Sequence, residues 1–118
     1  MSGTFESLYA STLKTVFTEQ AREQLARGDE AFAAARAYAE LGKPDFALAF
    51  LLLAEHAEEE KHEMLAYAYE RRATLAEEKA NAYTRQFHRP FPLIKLEAHR
   101  DRQIAQAVRQ GLPLPARS

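Results

Sequence analysis

Glu59 and His62 stand three residues apart in the run Glu58-Glu59-Glu60-Lys61-His62, and Glu55 lies one helical turn earlier. Residues three and four apart share a face of an α-helix, so Glu55, Glu59 and His62 could converge on one metal ion. A metal site inside a helical bundle also needs carboxylates from facing helices, and Glu19, Glu23, Glu30 and Glu40 could supply them. Two features favour a plainer reading. The apolar stripe of the surrounding helix lies on the opposite side, which places the three residues where solvent is expected. Acidic residues followed by Lys61, Arg71 and Arg72 also form ordinary pairs four residues apart. A solvated face with no cofactor is therefore the favoured expectation. Leu48, Leu52 and Ala66 share the acidic side, however, so a second chain packed there would bury the carboxylates and join two half-sites.

Other chemistry is poorly represented. The 118-residue chain has no cysteine, which removes disulfides, thiolate nucleophiles and Cys-based zinc sites. Ser7, Ser11, Thr12 and Thr15 have no glycine elbow and no His or Asp in an obvious relation to them. Gly3, Gly28, Gly42 and Gly111 are isolated, so no glycine-rich phosphate loop exists. His88 and His99 flank basic residues and read as surface side chains. No catalytic residue emerges, and a non-enzymatic role is favoured.

The elements that would position these residues are helical. Ala, Leu, Glu, Arg and Gln dominate, while Val16, Val108, Ile94 and Ile104 are the whole complement of Val and Ile. The first helix is expected over about 4–27, with Phe5, Leu8, Tyr9, Leu13 and Val16 as its apolar stripe. Gly28 stops it and Asp29 can cap the next, over about 30–41. Gly42-Lys43-Pro44 is a tight turn between antiparallel helices, with Pro44 suited to a first helical turn. No glycine or proline follows until Pro90. One continuous helix is therefore expected over about 45–86, a rod of ~64 Å. Phe46, Phe50, Leu53, Ala57, Met64, Ala68, Leu75 and Ala82 form a stripe along it. His88-Arg89-Pro90-Phe91-Pro92 connects to a last helix over about 93–110. The expected fold is all-α, three to four helices in an antiparallel hairpin or bundle. Residues 1–111 form one helical domain and 112–118 a flexible tail.

The stretch from about 31 to 64 resembles a single tetratricopeptide-like helical hairpin. Tyr38, Gly42, Ala47, Leu51 and Ala54 sit at that family's spacing, where small residues let two helices approach closely. Ala31 stands at the tryptophan-like position and Glu59 replaces the proline that closes the second helix. No second copy lies thirty-four residues away. The resemblance implies protein–protein interaction without catalysis. The Glu-x-x-His spacing resembles that of di-iron carboxylate bundles of the ferritin type, which would imply a di-metal iron or manganese site.

Net charge is −1, yet residues 1–84 hold 9 Lys or Arg against 15 Asp or Glu, and residues 85–118 hold 7 against 2. The basic end is expected to pack on acidic parts of its own or a partner chain. A nucleic-acid-associated regulator acting through Arg85, Arg89, Lys95, Arg100, Arg102 and Arg109 is an alternative. No nucleic-acid-binding motif accompanies them, and the isoelectric point is near 6.4, so nucleic acid is not the expected partner. The first residues lack a signal-peptide pattern, and the longest apolar run, 46–54, is too short to span a bilayer. A cytoplasmic protein without membrane contact is expected. The rod from 45 to 86 carries more apolar surface than one chain covers, so the leading expectation is an interaction or assembly module, a homo-oligomer and first of all a dimer. Leu48, Leu52, Met64, Tyr67, Tyr69, Leu75 and Tyr83 would face the second subunit or another protein partner.

Overall fold

Thr4 opens the part of the chain described by the computed structural model, which covers residues 4–114. Its backbone is extended and its hydroxyl oxygen accepts the Ser7 amide at 3.1 Å, capping a short helix α1 over Phe5–Tyr9. A 3₁₀ turn over Ala10–Thr12 follows. The single first helix expected over 4–27 is thus broken, because Leu13 and Lys14 are extended at ψ 135 and 141° before α2 runs over Thr15–Ala26. The Thr12 hydroxyl donates to the Tyr9 carbonyl at 2.7 Å, one of the local bonds by which Ser and Thr compete with helix. The break also frees α1 to turn Phe5 and Tyr9 fully into the core.

α3 spans Ala31–Glu40 and α4 spans Pro44–Leu53. The turn between them is the expected one, with Pro44 in the first turn of α4 and Gly42 at φ +69°. Tyr38 of α3 stacks on Phe46 and Phe50 of α4 at 5.0 and 5.5 Å, and Phe17 of α2 meets Phe46 edge-on at 4.9 Å.

The rod expected over 45–86 does not exist. α4 ends at Leu53, Ala54 and Ala57 are extended at ψ 143°, and α5 begins again over Glu58–Phe87. The reason lies in α4, where five consecutive residues, Ala47 to Leu51, are buried to 2 % exposure or less. A helix apolar on every side must be covered on every side, and a straight rod would leave most of it bare. Breaking at 54–57 lets α5 pack back along α4. Glu58, Glu59 and Glu60 then occupy the first turn of α5, where the helix dipole favours negative charge.

α6 spans Pro92–Arg109 and pairs antiparallel with α5. Alanines permit the close approach: Ala66, Ala73 and Ala80 on α5, and Ala98 and Ala105 on α6, recur every seven residues and are all fully buried. The all-α class expected from composition holds, but with six α-helices among the described residues, since two long predicted helices are each cut in two. The tail expected to be free from 112 is tied down at its start. The Tyr9 hydroxyl donates to the Leu112 carbonyl at 2.9 Å, and Leu114 packs on the core. Residues 115–118 of that expected tail lie outside the described residues.

Candidate functional site

His62 sits in a corner where α1 meets α5. Its ring makes edge contacts with Phe5 and Tyr9 at 5.2 and 5.6 Å, and its Nδ1 lies 2.8 Å from the Glu58 carbonyl. The carboxylate at work here is Glu58, which accepts the Phe5 backbone amide and so caps α1 from across the fold. Glu59 is exposed beside it, and Glu55 is exposed in the 54–57 link rather than on a shared helix face. The helix break thus separates Glu55 from the Glu-x-x-His pair. Among the described residues no three His, Asp or Glu side chains are grouped to hold a metal ion. The imidazole packs aromatic residues, and its enclosed Nε2 has no hydrogen-bond partner.

The basic end divides into two parts. Arg109 binds Glu63 and Glu70, its closest approaches being 2.7 and 2.6 Å, and Arg102 pairs with Glu77. Arg72 forks onto the nearly buried Asp101 at 2.9 and 2.8 Å. These pairs lock α6 onto α5 and hold the Glu63 and Glu70 carboxyls below their usual range, chiefly through the Arg109 hydrogen bonds. Arg85, Lys95 and Arg100 are exposed and unpaired among the described residues, and Arg89 lies over the Phe91 ring at 5.3 Å.

Arg100 lies about two turns along α6, and Arg85, Arg89 and Lys95 lie within about one helical turn of the tip of the α5–α6 hairpin. Tyr83, Phe87 and Phe91 form a ring cluster there with centroids 5.4 to 6.0 Å apart. α5 ends on His88, whose left-handed backbone at φ 55° is the one non-glycine case among the described residues. Pro90 and Pro92 fix their own φ angles and so stiffen the turn. Phe87 remains 53 % exposed, Leu93 73 % and Leu96 44 %. The tip is therefore an apolar knob with a cationic rim.

A second surface lies at the other end of α5. An open groove of about 430 Å³ runs between α3 and α5, lined by Phe32, Arg36, Glu40, Glu60, Glu63, Met64 and Tyr67. Spacings of three and four residues on each helix aim these side chains into one channel. His56 stacks on Phe32 at 3.9 Å. No family model, curated protein or solved structure matches this chain. No helix among the described residues is long and apolar enough to cross a membrane.

The residues expected to face a second subunit are scattered by the break at 54–57. Leu48 and Tyr69 are core residues, 2 and 6 % exposed. Leu52 and Leu75 are half-buried within the chain, Met64 and Tyr67 line the groove, and Tyr83 belongs to the tip. Of the six basic residues, Arg102 and Arg109 serve the α5–α6 lock, Arg85, Arg89 and Lys95 lie near the tip, and Arg100 is exposed farther along α6. Sequence reasoning missed Phe87, Leu93 and Leu96. Their signal was available, since three large apolar residues flank a proline-rich basic turn. It missed Phe32 and Arg36 because nothing in the sequence announces that α3 and α5 lie side by side.

Proposed function

We propose that this protein is a non-enzymatic assembly module that associates with another protein chain, first of all a second copy of itself, through the tip of the α5–α6 hairpin. The exposure of Phe87, Leu93 and Leu96, with the unpaired cations Arg85 and Lys95 close to them in the chain, carries the reading. Monomeric proteins seldom leave contiguous apolar surface of this kind uncovered unless it binds something. The tetratricopeptide-like spacing of the α3–α4 hairpin supports an interaction role as well.

Magnitudes restrict what such a contact must contain. Covering the exposed fractions of those three side chains yields about 3–5 kcal/mol. Association costs at least ~4 kcal/mol in lost freedom. The knob alone therefore leaves at most about 1 kcal/mol, a dissociation constant no better than roughly 0.2 M. A useful complex needs an apolar surface opposite the knob and opposite charge around it.

Size-exclusion chromatography with light scattering tests the reading. The wild-type chain should exceed its monomer mass of 13.4 kDa at about 100 µM. The double variant Leu93→Ser, Leu96→Ser should return to the monomer with unchanged helicity. A wild-type chain that stays monomeric throughout sinks the proposal.

A further inference from the structure

We infer that the groove between α3 and α5 is the seat for the α5–α6 tip of a second copy, so that copies join head to tail. This rests on the assembly reading above and goes further by naming both halves of the contact.

The two surfaces are complementary. The groove offers an apolar floor of Phe32, Met64 and Tyr67. Its cations are already engaged: Arg36 lies over the Phe32 ring at 5.6 Å, and Arg71, beside the groove, donates to the Glu40 carbonyl at 3.0 Å. Glu63 is taken by Arg109, whereas the Glu40 and Glu60 carboxylates have no cation among the described residues. Exposed Glu55 and Glu59 add negative charge at the same end. The tip offers Phe87 and Leu93 with the unpaired Arg85 and Lys95 within a helical turn of it, Arg89 held over the Phe91 ring, Arg100 farther along α6, and Glu97 as the nearby acid. Knob in groove matches apolar to apolar and cation to carboxylate.

Symmetry and distance select the occupant. A two-fold contact of tip with tip would press two cationic rims together. A copy cannot fill its own groove, because the helix from Tyr67 to Phe87 holds the tip about 30 Å away. The occupant is therefore another molecule. Each contact joins a tip to a groove, so copies either exchange tips and close as a two-fold pair or continue head to tail into larger rings or longer chains.

Two variants test this by light scattering and sedimentation velocity. The tip variant carries Leu93→Ser and Leu96→Ser. The groove variant carries Glu40→Lys and Glu60→Lys, both at exposed positions. Each alone should associate at least tenfold more weakly than the wild type. Mixed in equal amounts they should form a pair of one copy each that grows no further on concentration, since only one good tip and one good groove remain. If the groove variant associates like the wild type while the tip variant does not, the contact is tip to tip; head-to-tail docking is then overturned and the assembly reading stands. If the wild type is monomeric alone, both fall. Sedimentation of that monomer with phosphatidylserine-containing vesicles, lost in the tip variant, would reassign the knob to anionic lipid and overturn both.

Discussion

Alanine at position 42 should be far more damaging than alanine at position 111, although both replace a glycine with nearly the same backbone. Gly42 lies at φ +69° and Gly111 at φ +72°, so the left-handed penalty is shared. That penalty is about 1–2 kcal/mol for a residue with a Cβ. The surroundings differ. A Cβ at position 111 would have no atom within 4 Å, whereas one at position 42 would stand 3.0 Å from the Arg72 Cα and from Leu75 Cδ1, and 3.2 Å from the Arg72 amide nitrogen. Leu75 can swing aside, but the backbone of α5 cannot yield without moving the helix that Arg72 also clamps to α6 through Asp101. Overpacking of this kind costs about 1–3 kcal/mol. Gly42→Ala should therefore lose about 2–5 kcal/mol in all, and Gly111→Ala about 1–2 kcal/mol. Urea unfolding followed by circular dichroism, at a concentration low enough to keep the chain monomeric, reads the difference as a shift in midpoint at constant slope. In thermal melts each kcal/mol should move the midpoint by about 4 °C. Equal midpoints for the two variants would refute the claim that the α3–α4 turn is pressed onto the α5 backbone.

The Arg109 cluster and Tyr9 should leave opposite marks on the pH dependence of stability. Glu63 and Glu70 have folded pKa values below the ordinary 4.5, so their contribution is present above that value and is lost as pH falls through the lower folded one. Arg109→Gln should cost about 1 kcal/mol at neutral pH, flatten that acid slope, and matter less in high salt. An unchanged acid limb would contradict it. Tyr9 is pushed by burial from 10.0 up to about 12, so its neutral form is favoured in the fold. Its contribution, about 2–3 kcal/mol, is full below pH 10 and disappears as pH rises through 12. Tyr9→Phe should remove this alkaline loss while costing about 1 kcal/mol at neutral pH for the bond to Leu112. Identical alkaline unfolding of the two proteins would count against the burial of the phenol.

The helical ends were legible wherever backbone chemistry marks them. Gly28, Gly42-Lys43-Pro44, Pro92 and Gly111 each delimit a helix within a residue or two of the expected place. The break at 54–57 carries no such mark. Its trace was the acidic triad Glu58-Glu59-Glu60, which suits a helix start better than a helix middle, together with the run Ala47 to Leu51, which is too apolar all round for a half-exposed rod. The same break parts the candidate metal residues. Glu55, Glu59 and His62 share a face only if the helix is unbroken, and once it turns back Glu58 and His62 fasten α1 instead. The charge division was visible as a count, but its partition was not: Arg102 and Arg109 are spent inside the chain, Arg85, Arg89 and Lys95 are left near the tip, and Arg100 is exposed on α6.

Composition and periodicity act over a few residues, and over that range they specified an all-helical chain, its turns and the amphipathic faces of its helices. Which faces meet is set by long-range burial, because a helix as apolar as α4 gains more from being surrounded than α4 and α5 gain from staying one rod. That balance created the groove between α3 and α5 and left the α5–α6 tip uncovered. Both depend on residues far apart in the chain, and no local pattern encodes their meeting.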